Sequence, residues 1–199
     1  MAFFTDQQVR FAAASALGMG RIPDETSARA ALNLLERYVP EDDESNFPVK
    51  TFDIFLSHSS LDAVQVLGIF LILRSRGYSV YLDRVCDPHL NRAVVNKSTA
   101  TTIRRRMTQC RSLFVATSAN TTASQWVPWE LGFTDGLTGK AAILPIVPED
   151  TVAFGGLSYF ELYPNVQDAS PALKPNDLTI WDGRVSIGTW GHWLTIAKN

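Results

Sequence analysis

An indole and a carboxylate four positions apart, Trp126 and Glu130, are the first residues of this sequence that suggest chemistry. Pro128 lies between them and suits the first turn of a helix, on which residues i and i+4 share a face. A ring beside a carboxylate on one face suits a nucleotide pocket. The same spacing also fits two packing aromatics, Trp126 and Trp129, beside a solvated acid, and spacing alone favours this simpler interpretation.

Polar side chains also follow the predicted strands at their carboxyl ends. The segments are Ser57-His58-Ser59-Ser60, Asp83-Arg84 and Thr117-Ser118-Ala119-Asn120. Ligands of open parallel sheets bind beyond the carboxyl ends of the strands, where the strand order changes direction. We therefore expect hydroxyls, an imidazole and acids to converge there with the helix that carries Trp126 and Glu130.

The elements that must position these residues begin at residue 52. From there, short apolar runs alternate with helical stripes, which is typical of an α/β domain with a parallel sheet. Strands are predicted over residues 52–56, 78–82, 112–117, 141–147 and 178–181, and helices over 59–76, 98–109, 124–137 and 186–196. In this arrangement the polar segments at the strand ends share one edge of the sheet.

The first forty residues predict a helical hairpin. Thr5 begins a capping box, and apolar residues follow at helical spacing until Gly18. A second amphipathic stripe covers residues 24–39 and ends at Pro40, and residues 40–46 are polar and acidic, as in an exposed linker. We therefore predict an N-terminal unit over residues 1–46 and a second unit over 47–199.

Composition narrows the function classes. The chain has 199 residues, 46% apolar and 19% charged, and a formal charge of −2, which is typical of a globular protein and gives no basic field to attract nucleic acid. No apolar run approaches the ~20 residues needed to cross a bilayer, and the start lacks the basic region of a signal peptide. Only two cysteines are present, which suits a reducing compartment. We predict a cytoplasmic protein that binds neither nucleic acid nor membrane.

Three other patterns lead to less specific interpretations. The basic triplet at 104–106 could grip phosphates, but adjacent helical positions point in different directions, so a solvated face is favoured. Cys86 and His89 have Cys-x-x-His spacing without two further ligands, so no metal site is predicted. Ser57 and His58 do not predict a serine hydrolase, because adjacent strand residues point to opposite faces and no nucleophile elbow is present.

Four segments in this order resemble the TIR (Toll/interleukin-1 receptor) domain family in its bacterial form. They are FDIFLSHSSLD at 52–62, GYSVYLD at 77–83, CRSLFVATS at 110–118 and SQWVPWELG at 124–132, the last being similar to the W-x-x-x-E helix of enzymatic members. The resemblance implies an α/β, flavodoxin-like fold with a central five-stranded parallel sheet. The predicted helical hairpin would precede it.

In the catalytic branch of the family, the resemblance implies cleavage of NAD at the bond between nicotinamide and ribose. NAD is then a substrate, and no cofactor is implied. Glu130 falls on the catalytic glutamate of the family. The substrate-binding residues that the resemblance implies are Ser57, His58, Ser59, Asp83 and Trp126. The segment 83–96 corresponds to the loop that covers or assembles the site, and its sequence departs from the glycine-containing pattern of many relatives.

One carboxylate suffices for this chemistry. Nicotinamide is a cationic pyridinium in NAD and leaves as a neutral base, so no general acid need protonate it. A carboxylate about 4 Å from the positively charged ribose, at an effective dielectric near 20, contributes ~4 kcal/mol, or on the order of a thousandfold in rate. Attack by water, by a group within the substrate or by another molecule would give ADP-ribose, a cyclic isomer or a conjugate, respectively.

The resemblance also implies partners. Catalytic relatives often self-associate to complete the site, and in bacteria their products commonly switch on a separate effector protein during phage infection. The main alternative is a non-catalytic TIR–TIR interaction module that recruits signalling partners. A nucleoside-processing enzyme of similar topology is the third possibility.

Overall fold

A computed structural model describes residues 3–24, 27–37, 51–59, 61–82, 86, 96–118, 121, 124–149, 151, 158–168 and 177–197. The helices are α1 (Asp6–Ala16), α2 (Ala28–Arg37), α3 (Ala63–Ser75), α4 (Lys97–Thr108), α5 (Trp126–Thr138) and α6 (Trp190–Thr195), with a 3₁₀ helix at Ser158–Leu162. The strands are β1 (Phe4–Thr5), β2 (Phe52–Ser57), β3 (Val80–Tyr81), β4 (Cys110–Thr117), β5 (Ala141–Val147), β6 (Asn165–Asp168), β7 (Leu178–Asp182) and β8 (Val185–Thr189).

The eight strands form one sheet with the order β3-β2-β4-β5-β6-β7-β8, and β1 pairs with β5 outside this path. The pairs from β3 through β6 are parallel, so the predicted five-stranded parallel sheet is confirmed. Its fifth strand is β6, however, and the prediction of 178–181 for this role is wrong. That segment forms β7, which runs antiparallel to β6.

The predicted closing helix over 186–196 is also wrong in its first part. Residues 185–189 form β8, and only Trp190–Thr195 is helical. Gly183 and Arg184 form the turn between β7 and β8, and Gly183 has a φ of 55°, a left-handed conformation that glycine adopts without steric cost. The turn closes a hairpin before the helix begins.

Helices cover both faces of the sheet. One face is packed by α1, α2, α3 and α6, and its buried core includes Val9, Leu35, Leu67 and Trp193. The other face is packed by α4, α5 and the 3₁₀ helix. In the described part of the chain, no helix is long and apolar enough to span a bilayer.

Both predicted N-terminal helices form, and both pack against α3. The Thr5 hydroxyl accepts a hydrogen bond from the backbone N–H of Gln8 at 3.1 Å, as the capping box predicts. The contact between α1 and α3 is close, because a Cβ added at Gly68 would lie 1.9 Å from the Val9 carbonyl oxygen. Residues 38–50, which contain the predicted linker and the boundary between 1–46 and 47–199, lie outside the described residues.

A polar network closes the amino ends of β2 and β4. Asp53 accepts hydrogen bonds from the backbone N–H and the hydroxyl of Ser79 at 2.9 and 2.8 Å. The buried Ser112 hydroxyl donates to the Asp53 carbonyl oxygen at 2.9 Å and accepts from the Trp190 indole N–H at 3.0 Å. Each polar group named here has a partner within the fold.

Candidate active site

The strand order changes direction between β2 and β4. The chain leaves β2 through α3, on one face of the sheet, and leaves β4 through α5, on the other. The carboxyl ends of β2 and β4 therefore flank the switch point, where the ligand crevice of an open α/β sheet is expected. The residues at these two strand ends and on the first turns of α5 form the candidate site.

The centre of the site is a buried pair formed by Ser57 and Glu130. The Ser57 hydroxyl, at the end of β2, donates a hydrogen bond of 2.6 Å to Glu130 Oε2. Both residues are 0% exposed. Because an isolated carboxylate is costly to bury, this charge-assisted bond holds Glu130 in one orientation.

Helix α5 places Glu130 at the crevice. The Ser124 hydroxyl accepts from the backbone N–H of Val127 at 3.3 Å and satisfies one donor of the first turn. The helix ends at Gly139, which has a φ of 65° and donates its N–H to the Asp135 carbonyl at 2.9 Å. Glu130 thus lies in the second turn, within a helix whose two ends are fixed.

Trp126 lies one turn before Glu130, on the same helix face, and is 7% exposed. Its ring packs edge-on against that of Trp129, with centroids 5.5 Å apart. Most of its surface belongs to the core under α5. Trp126 thus belongs to the apolar core on this side of the sheet, one turn from the buried Glu130.

His58 and Ser59, which follow β2, are buried beside the site. His58 Nδ1 lies 3.1 Å from the Leu56 carbonyl oxygen, and the Ser59 hydroxyl accepts from the Leu61 N–H at 3.3 Å. These contacts hold the corner after β2 in place. Asp83 and residues 84, 85 and 87–95 of the predicted covering loop lie outside the described residues.

The structure adds two features that the sequence did not assign. Ser118 donates a hydrogen bond to the buried carboxylate of Asp62, which joins the loops after β4 and β2. The Thr117 hydroxyl is buried, and no described residue lies within hydrogen-bonding reach of it. The rule for strand ends had pointed to the segment containing Thr117 and Ser118, but sequence alone does not tell which hydroxyl is paired.

Among the described residues, no group of three or more His, Cys, Asp or Glu side chains is placed to hold a metal ion. Cys86 and Cys110 are both free. Burial raises the pKa of the Cys110 thiol, so this group stays protonated at neutral pH.

Known proteins were compared with this chain. A TIR domain family profile matches residues 54–174. The protein named "Probable 3' cyclic ADP-D-ribose synthase ThsB'" of Bacillus cereus (strain MSX-D12) is 45% identical over 139 residues, which are 69% of this chain and 70% of that protein. The protein named "Putative cyclic ADP-D-ribose synthase TIR2" of Cytobacillus dafuensis is 28% identical over 85 residues, 42% of this chain and 22% of that protein. The predicted resemblance is confirmed, and the chain belongs to the TIR domain family.

Proposed function

We propose that this protein cleaves NAD at the bond between nicotinamide and ribose and converts the remainder into a cyclic ADP-ribose signal. The observation that carries the proposal is the buried Glu130 carboxylate, held by Ser57 at 2.6 Å at the carboxyl end of β2. The family and the printed names of the two relatives support the same reaction.

Glu130 acts on the charge that develops during cleavage. The bond between ribose C1′ and the pyridinium nitrogen breaks, and its electron pair neutralises the nicotinamide. Positive charge then spreads over C1′ and the ring oxygen of the ribose, and the carboxylate stabilises it. Because Ser57 fixes the carboxylate beforehand, little reorganisation is needed at the moment of bond breaking.

The second half of the reaction closes a ring. A nucleophilic atom of the ADP-ribose part attacks C1′, forms the new bond and releases its proton when it is a hydroxyl. A dry site favours this outcome over hydrolysis, because water competes for the same carbon. The low exposure of Ser57, Trp126 and Glu130 supports such a site.

The residues around Glu130 and the partners of the protein have roles in the same proposal. Ser59, His58 and Asp83 line the substrate pocket. Trp126 lies beside the ring of the substrate that is nearest to Glu130. The protein self-associates through TIR contacts to complete the site, and the product switches on a separate effector in the cytoplasm during phage infection.

The test is nicotinamide release from NAD, measured by chromatography at low and high protein concentration. Wild type should release nicotinamide, and Glu130→Gln should be slower by on the order of a thousandfold, since the amide carries no charge. Glu36→Gln is the matched control, because Glu36 is an exposed acid of α2 and the chemical change is the same. It should retain wild-type activity.

The adenine-containing product is identified by mass in the same experiment. A cyclic product is lighter than ADP-ribose by one water, so the mass separates ring closure from hydrolysis. Suppose instead that wild type releases no nicotinamide even when concentrated, and that extract of phage-infected cells does not restore the activity. Catalysis is then excluded, and the non-catalytic TIR–TIR module takes its place.

A further inference from the structure

We propose that Thr117 is a substrate-contact residue whose hydroxyl binds a polar group of the nicotinamide riboside half of NAD. The proposal rests on the proposed NAD cleavage for the identity of the ligand. It begins from one observation, a buried hydroxyl without a hydrogen-bond partner in the described structure.

Two buried side-chain atoms of the described sheet have no hydrogen-bond partner, the hydroxyl of Thr117 and Oε1 of Gln167. Of the two, only Thr117 lies on β4, beside the candidate site. Thr117 is 4% exposed, and its Oγ1 finds no partner within the described residues. Thr179, which is 5% exposed on β7, shows the usual situation, since its hydroxyl donates to the Gln167 carbonyl at 3.3 Å and accepts from the Trp181 indole at 3.0 Å. An unpaired buried hydroxyl destabilises the fold, so a partner supplied by a ligand offers a reason for its presence.

Strand register places the Thr117 side chain on the same face of the sheet as the Ser57–Glu130 pair. Ser57 is the register partner of Val115, and Val115 packs in the core beneath α5. Side chains alternate along a strand, so Thr117, two residues further on, faces α5 as well. It lies ~7 Å beyond Val115 in the direction of the crevice.

The position of Thr117 at the end of β4 indicates which half of NAD its hydroxyl contacts. A reacting ribose beside Glu130 lies over the ends of β2 and β4, and Thr117 is the last residue of β4. A threonine hydroxyl both donates and accepts, which suits a ribose hydroxyl or the carboxamide of nicotinamide. The adenosine half, joined through the pyrophosphate, lies further from this strand end.

The test uses two substitutions at Thr117 and one control. Thr117→Val keeps the shape and removes the hydroxyl, whereas Thr117→Ser keeps the hydroxyl. Thr117→Val should raise Tm by roughly 2–4 °C, because it removes an unpaired buried polar group. It should also weaken NAD binding about tenfold, and Thr117→Ser should bind NAD as wild type does. Thr179→Val should do the reverse, lowering Tm and leaving NAD binding unchanged.

Binding is measured separately from cleavage by titrating NAD in the Glu130→Gln background, with and without Thr117→Val. Weaker binding in the double variant supports the proposal even if wild type releases no nicotinamide, so the two proposals fail independently. Titration of nicotinamide mononucleotide and of AMP into wild type and Thr117→Val then tests which half is contacted. Any of three results overturns the proposal. NAD binds equally well with and without the hydroxyl, Thr117→Val lowers Tm, or the loss of affinity is confined to the adenosine half.

Discussion

At the amino ends of β2 and β4, the buried polar groups are paired with one another, whereas the carboxyl ends bury a carboxylate and leave the Thr117 hydroxyl unpartnered by any described residue. Ser112 and Ser57 illustrate the contrast, because both are serines on these strands and both are 0% exposed. Ser112 joins a backbone carbonyl to the Trp190 indole, and Ser57 holds a charged group. The polar groups named at the amino end are therefore satisfied within the fold, whereas the carboxyl end holds the candidate site.

The strongest way to test this contrast is Ser57→Ala. Loss of the hydroxyl removes the charge-assisted bond that orients Glu130, so kcat for nicotinamide release should fall roughly tenfold to a hundredfold. KM for NAD should change much less, because Ser57 acts through Glu130. Steady-state kinetics of both parameters makes the measurement. A change confined to KM would contradict the positioning role.

The same substitution at the other end, Ser112→Ala, should affect stability instead. It leaves the Trp190 indole N–H and the Asp53 carbonyl oxygen without their present partner, which costs about 1–3 kcal/mol of unfolding free energy. Denaturant unfolding measures this loss, and kcat should stay near the wild-type value. If Ser112→Ala reduced kcat as much as Ser57→Ala does, the two ends would not differ in function.

Glu149→Gln tests a structural contact at the carboxyl end of the sheet and should have the smallest effect. The exposed Glu149 follows β5 and accepts from the backbone N–H of Gln7 at 2.9 Å, in the first turn of α1. Hydrogen bonds from backbone N–H groups, including its own, and from Thr5 lower the pKa of Glu149 below its ordinary value of 4.5. A carboxyl whose pKa is lower in the folded state stabilises the fold above that ordinary value. The stabilisation is lost as the pH falls through the lowered pKa.

Glu149→Gln should therefore lower Tm slightly at about pH 7, and the difference from wild type should be smaller at about pH 3, because the Glu149 carboxylate takes up a proton as the pH falls through its lowered pKa. Thermal unfolding at the two pH values measures it. Glu36→Gln serves again as the control, since Glu36 is an exposed acid on α2. A Tm difference that persisted undiminished in acid would show that the carboxylate charge is not its cause.

Elements with a clear apolar pattern were predictable from sequence, whereas short strands such as β1 and β6 were not. β5 was predicted with its observed bounds, because a buried parallel strand has a continuous apolar run. β6 has the sequence NVQD, with one apolar side chain, and pairs through its backbone where neighbouring strands leave an open edge. β1 has only two residues, too few to show a period.

For the candidate site, the sequence indicated which residues to consider but not how they pair. The carboxyl-end rule indicated the segment that contains Ser57. The spacing of Trp126 and Glu130 alone favoured a packing role, and the resemblance to the TIR family assigned them to the site, where their roles stay predictions. That Ser57 bonds Glu130, while Ser118 bonds Asp62, depends on strand register and on the packing of α5. These hydrogen bonds join residues up to 73 positions apart in the chain, and no local sequence pattern encodes them.

The close packing of α1 against α3 determines where this protein can be truncated. The family profile begins at residue 54, yet eight of the 13 residues of α3 are buried, and Val9 of α1 covers its glycine at position 68. A truncated version that starts at the profile boundary would turn an apolar helix toward water and free the edge of β5 that β1 occupies. Such a version should aggregate on expression, so truncations intended for assay or crystallisation should keep the N-terminal helices.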